Sequence, residues 1–192
     1  MTARSCYLRL VEPPGGGDPF DRHVLACALA VAWTESPAGV AEGLGLAPAA
    51  LARLVAAHFP QAADLITGDG EPPAGLEEPD LRALLLAQRT DTRPEQGWLA
   101  RIVARRCLRP NHLWQDLGLG GRDELSRLMR RHFAPLAAAN DRDMKWKKFL
   151  YRRLCQDEGI LICKSPVCES CTDFALCFGP EECPVPDTGK PE

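Results

Sequence analysis

The sequence predicts an all-α protein: a helical body that carries an irregular C-terminal cysteine-rich metal-binding tail. Leu and Ala together number 51, against 19 for Val, Ile and Thr, a bias toward residues that lose little side-chain freedom in a helix. Apolar residues recur at helical spacing between proline and glycine punctuation. Six of the nine cysteines (Cys155, Cys163, Cys168, Cys171, Cys177, Cys183) fall within 29 residues near the C-terminus. The chain divides into a flexible N-terminal segment (1–18), an all-helical body (19–159), a cysteine-rich metallocluster module (160–183) and a disordered C-terminus (184–192).

The elements follow in order. Residues 12–18, Glu-Pro-Pro-Gly-Gly-Gly-Asp, form a flexible lead-in. Asp18 and Pro19 then supply an N-cap and a first-turn proline for a helix from Phe20 to Trp33. Cys27 lies inside that apolar stretch and reads as core. Further helices are predicted over 48–58, 78–90, 94–107, 122–133 and 144–157, separated by Pro60, Gly68, Pro72, Pro73, Pro94, Pro110 and Pro135. Cys107 closes one of them as a small apolar residue, and His23, His58 and His132 read as helix-face positions without a functional role. His112, in a proline turn beside Trp114 and Asp116, reads as a structural hydrogen-bonding residue or as a ligand.

An internal repeat runs through the body. Leu44-Gly45-Leu46, Leu51, Arg53, Leu54, His58 and Phe59 match Leu117-Gly118-Leu119, Leu125, Arg127, Leu128, His132 and Phe133, with one inserted residue. Two stacked helical hairpins, or the shared demands of a glycine turn feeding an amphipathic helix, both account for it.

Composition narrows the function. At 45% apolar the chain can bury a core without covalent staples, so nine cysteines need another explanation. Their odd number excludes complete internal pairing, and residues 1–9 lack the apolar run of a signal peptide, which together predict a reducing, cytoplasmic setting. The longest apolar run, Val24 to Trp33, has ten residues, about half of the roughly 20 a bilayer requires. A net charge of −3 argues against a dedicated nucleic-acid binder. No Ser-His-Asp order, phosphate loop or His-Glu-x-x-His motif supports an enzyme.

The strongest motif is Cys163-x4-Cys168-x2-Cys171-x5-Cys177. The central pair turns two sulfurs toward one centre, and the flanking loops are long enough to bring the outer two round. Zinc modules usually repeat the Cys-x2-Cys knuckle after a dozen or more residues, whereas Cys-x4-Cys-x2-Cys with a more distant cysteine is the order of plant-type ferredoxins. Spacing therefore favours iron–sulfur over zinc and leaves a disulfide or redox-sensing role as a third option. Cys155 reads as a core thiol, a reserve ligand or a packing contact, and Cys183 sits in an exposed-looking Glu-Glu-Cys-Pro turn; neither is assigned as a ligand. Six basic residues lie between Arg142 and Arg153 against one acid, while Cys155 to Glu192 holds eight acids and two lysines. The basic helix offsets cluster charge, attracts an oxyanion or docks an acidic partner, unless it is an ordinary solvated face. Trp146, Phe149 and Tyr151 predict that one side of it is buried.

Four stretches carry a resemblance: His112-Leu-Trp-Gln-Asp-Leu-Gly-Leu119, the Arg122 to Phe133 helix, Met144-Lys-Trp-Lys-Lys-Phe-Leu-Tyr-Arg-Arg-Leu-Cys155, and Cys163 to Pro180. They resemble the NifQ family of nitrogen fixation proteins. The resemblance implies a non-enzymatic carrier that takes up molybdenum, from molybdate or another source, and passes it toward the iron–molybdenum cofactor of nitrogenase. It implies that Cys163, Cys168, Cys171 and Cys177 ligate an iron–sulfur cluster containing molybdenum. The nitrogenase cofactor assembly scaffold and the nitrogenase iron protein become the expected partners, with neither nucleic acid nor membrane involved. Without the resemblance, a zinc-stabilised interaction module and an iron–sulfur electron-transfer protein stand beside the carrier.

Overall fold

The computed structural model describes residues 1–67, 73–157 and 174–181. Among the described residues the secondary structure is entirely helical, with no strand, and no helix is long and apolar enough to cross a membrane. Gly68, Pro72, Cys163, Cys168, Cys171, Cys183 and the C-terminus 184–192 lie outside the described residues.

The N-terminus departs from expectation. Helix α1, Ala3–Val11, occupies much of the segment expected to be flexible. Thr2 and Ser5 cap it reciprocally: the Ser5 N–H donates to Thr2 Oγ1 at 3.2 Å and the Thr2 N–H to Ser5 Oγ at 2.9 Å. Cys6 and Leu10, one turn apart, are fully buried against the body. The glycine lead-in is also held. Arg22 donates to the carbonyls of Leu10 and Pro13, and His58 Nδ1 donates to Gly16 O at 3.1 Å. Gly17 has φ +87°, and a Cβ there would meet the His58 ring at 2.7 Å, so the loop closes only on glycine.

Helix α2, Pro19–Glu35, is the central element. Asp18 caps it, accepting from the Phe20 and Asp21 N–H groups. Residues 24–30 are buried without a break, which is why its apolar residues continue all round the helix. Around it pack α1, α3 (Val40–Leu44) and α6 (Pro94–Cys107), and α6 in turn receives α4 (Pro48–His58), α5 (Glu78–Ala87) and α7 (Leu113–Asp116). Helix α8 (Arg122–His132) leads into α9 (Ala134–Ala139), and α10 (Trp146–Asp157) lies against α5.

The internal repeat is the same backbone path taken twice. A short helix, α3 or α7, ends on a left-handed glycine, Gly45 (φ 62°) or Gly118 (φ 73°). The next N–H closes the turn, Leu46 to Ala41 O at 3.0 Å and Leu119 to Trp114 O at 2.9 Å. A longer helix follows and ends at His-Phe, where Phe59 (φ −141°, ψ 55°) and Phe133 (φ −135°, ψ 52°) turn the chain into a 3-10 helix (60–65) or α9. The terminal histidines are buried. His132 Nε2 lies 2.9 Å from Asp21 Oδ1 on α2, and His58 Nε2 lies 3.4 Å from Glu95 Oε1 on α6. Each copy thus ends with a buried ring beside an acid on another helix, and His132 hydrogen-bonds its acid.

Asp21 is 2% exposed and is bonded by Arg131 as well as His132. Burial alone would raise its pKa, but the hydrogen bonds and charges of His132 and Arg131 outweigh it and hold the carboxyl at about 2. Against an unfolded value of about 3.9, this pair stabilises the fold fully above about pH 4. The contribution is lost as pH falls through about 2. Asp21→Asn should cost about 3 kcal/mol at neutral pH and flatten the loss of stability between pH 4 and 2, measured by urea unfolding at a series of pH values.

Candidate functional site

The one member of the cysteine quartet among the described residues is Cys177, on helix α11 (Phe174–Phe178). Five residues are too few for a helix to persist alone, so α11 depends on what it touches. The Lys145 N–H donates to Cys177 O at 2.8 Å, and Lys145 Nζ reaches Ala175 O at 3.4 Å. Phe174 stacks on Phe178, and the Arg142 guanidinium sits 5.3 Å over the Phe178 ring. Three residues beyond the helix, Glu181 is 6% exposed and ion-paired with Arg122. Cys177 itself is partly exposed.

The start of α10 provides this seat. Asp143 adopts φ 54°, and the turn around it is closed by Asn140, which donates to Met144 O and accepts from Met144 N–H, both at 2.9 Å. Arg122, at the first position of α8, donates to Asp143 O at 2.8 Å and Met144 O at 3.0 Å as well as to Glu181. One guanidinium therefore ties α8, the turn into α10 and the segment after α11 together. Trp146, Phe149 and Leu150 are buried, and Trp146 Nε1 donates to Ser126 Oγ. The expected buried side of this helix is present.

Its basic side differs from the reading of the sequence at Lys147. That ammonium donates to Arg109 O and pairs with Asp116, itself 3% exposed and held by Asn111. It ties α10 to α7 and is not a solvated charge. Lys148 is exposed and makes no ion pair among the described residues. Lys145, Lys148, His112 and Glu181 border an open cavity of about 470 Å³ roofed by Leu176. His112 Nδ1 lies 3.9 Å from Glu181 Oε1, which places the proline-turn histidine at the site.

The remaining cysteines separate by environment. Burial raises the Cys6 thiol and pushes Cys107 to about 12. Burial and the Glu124 charge push Cys27 to about 12, although the His23 ring lies 3.8 Å from its sulfur. These are protonated core thiols, which the sequence suggested for Cys27; Cys6 belongs to the segment expected to be flexible. Cys155 lies on α10 and is partly buried. Among the described residues no group of three or more His, Cys, Asp or Glu could hold a metal ion. Arg122 and Glu181 were not singled out by sequence reasoning. They stand 59 residues apart, and nothing local to either announces the other.

Fold and site together define an all-α protein in which a helical body holds a thiol-bearing C-terminal helix against the basic end of α10. The NifQ family model matches residues 24–179. Over 171 residues the chain is 42% identical to the NifQ homolog of Sinorhizobium fredii, covering 85% of this chain and 74% of that relative. It is 39% identical to NifQ of Azotobacter vinelandii over 158 residues, 72% of this chain and 78% of the relative. The match to NifQ of Rhodobacter capsulatus is 46% over 111 residues, 57% of this chain and 61% of the relative. No solved structure matches. The chain belongs to the NifQ family, and its role lies in nitrogen fixation and the biosynthesis of the nitrogenase cofactor.

The buried pair has a consequence for mutagenesis of the basic helix. Lys147→Glu places two carboxylates together and should cost at least about 3 kcal/mol, whereas Lys148→Glu should stay within about 0.5 kcal/mol of the parent. Urea unfolding of the two variants measures the difference.

Proposed function

We propose that the protein is a molybdenum carrier: it binds a cluster of iron, sulfur and molybdenum and delivers molybdenum for assembly of the nitrogenase iron–molybdenum cofactor. It works as a carrier and not as an enzyme. Cys163, Cys168, Cys171 and Cys177 would hold the cargo, since thiolates are the soft donors that iron–sulfur clusters take. The observation that supports this reading best is the placement of Cys177. It is the last thiol of a ferredoxin-ordered quartet, partly exposed, and its backbone is held at the lysine-rich start of α10.

The donor set fits such a cargo. Four thiolates bring a large negative charge, and Lys145, Lys148 and Arg142 lie on the elements that seat α11. The body's own thiols are kept protonated by burial and do not compete. A carrier must release what it holds, and a thiol such as Cys177, partly exposed and outside the core, suits transfer to an acceptor. The cofactor assembly scaffold and the nitrogenase iron protein are the partners proposed, with molybdate or another molybdenum source upstream. The setting is the cytoplasm, where the thiols stay reduced, without nucleic acid or membrane.

Iron, molybdenum and zinc content of anaerobically purified protein tests the reading. Parent protein should contain iron and molybdenum and absorb visible light, and both metals should fall by more than about tenfold in Cys177→Ala, the size of effect expected for loss of a metal ligand. A colourless protein with zinc and no iron would establish a zinc-stabilised module instead. Iron with reversible one-electron redox and no molybdenum would establish an electron-transfer protein.

A further inference from the structure

The cavity beside α11 has a chemistry that holding the thiol quartet does not require. Its walls come from the turn before α7, the first turn of α10 and the segment around α11. Two ammonium groups, Lys145 and Lys148, border it without a carboxylate partner among the described residues, and His112 adds a ring nitrogen. Trp146, Lys147 and Lys148 also line it. They form the first turn of a 12-residue helix, whose leading N–H groups have no acceptor within the helix and carry the positive end of its dipole.

The other charges facing the cavity are accounted for. Lys147 is cancelled by Asp116, and Glu181 shares the Arg122 guanidinium with Asp143 and so is only partly offset. Glu181 is 6% exposed and lines the cavity, yet its Oε2 has no hydrogen-bond partner among the described residues. The balance is two positive charges without a carboxylate partner among the described residues, donors supplied from two elements, and one half-satisfied carboxylate. A planar carboxylate presents its two oxygens in one plane. A tetrahedral oxyanion presents four in different directions, and this arrangement suits it better.

We propose that this cavity binds a tetrahedral dianionic oxyanion of the molybdate class, held by Lys145, Lys148, His112 and the first turn of α10. Glu181 is the acidic wall that limits its affinity. This deepens the carrier reading and rests on it for which oxyanion is the natural one. The charge balance of the cavity stands without it. The site lies where Cys177 is seated, so an oxyanion would be captured beside the thiol module.

Equilibrium dialysis of metal-free full-length protein against sodium molybdate at low ionic strength, with bound molybdenum counted by elemental analysis, tests the proposal. One saturable site is expected. Lys148→Gln should weaken it several-fold, and the Lys145→Gln/Lys148→Gln double variant at least tenfold. Glu181→Gln should tighten it about threefold, because it removes a repelling charge and keeps an acceptor for Arg122. Molybdate retained against excess sulfate and phosphate assigns the site to molybdenum uptake, and equal displacement by all three assigns it to tetrahedral oxyanions in general. No saturable binding, or binding unchanged in Lys148→Gln, overturns the proposal. Iron content of the anaerobically purified protein, taken before the metal is removed for dialysis, separates the two readings. Parent protein with iron and no molybdate site sinks this inference alone, and parent protein without iron sinks the carrier reading whatever the dialysis shows.

Discussion

The arrangement turns on Arg122. A five-residue helix bearing a thiol has no stability of its own, because the cost of nucleation is never recovered over so short a length. Helix α11 is ordered by being held at and just beyond its C-terminal end. The Lys145 N–H holds the carbonyl of Cys177, and Arg122 holds Glu181 just beyond it. The same guanidinium closes the Asp143 turn from which α10 starts. Without that turn Lys145 would not present its N–H to α11. The seat of the thiol and the start of the basic helix therefore share one support.

The body behind this support is built so that charge is buried only in pairs. Asp21 is enclosed with His132 and Arg131, Asp116 with Lys147, and Arg106 with Glu35. An unpaired partner at any of these positions would cost several kcal/mol, so the pairs fix how α2, α6, α7, α8 and α10 meet. The repeat adds to this register: each copy ends on a buried histidine that finds an acid on another helix. Gly118 serves the same end by steric means. It lies so close to α2 that a Cβ would meet Val31 Cγ2 at 2.5 Å. The cysteines also separate by environment, with Cys6, Cys27 and Cys107 buried inside the body and Cys177 partly exposed.

Much of the body was legible in the sequence because long helices announce themselves. The helix over 94–107 is found at those residues, and the Asp18-Pro19 start of α2 has the geometry its sequence promised. Short helices were not legible, since α3, α7 and α9 span 5, 4 and 6 residues and are too brief to show a period. Helix α1 was hidden by its polar surface, although the Thr2-x-x-Ser5 cap and the Cys6/Leu10 pair were there to be read. The acids beside His58, His132 and Lys147 were not legible because sequence shows polarity and not its partner. Glu95, Asp21 and Asp116 lie at least 31 residues away from them. At the site, His112 and the basic helix stood out locally, while the Arg122–Glu181 tie depends on tertiary approach alone.

If the body seats the thiol module through Arg122, weakening that tie should loosen the metal without unfolding the protein. The direct measurement is the half-life of bound iron under chelator challenge in anaerobic Arg122→Gln protein, beside parent protein and with helix content followed by circular dichroism. The account predicts iron lost at least about tenfold faster from a variant whose helix content is unchanged. Equal retention of iron by the two proteins would contradict it.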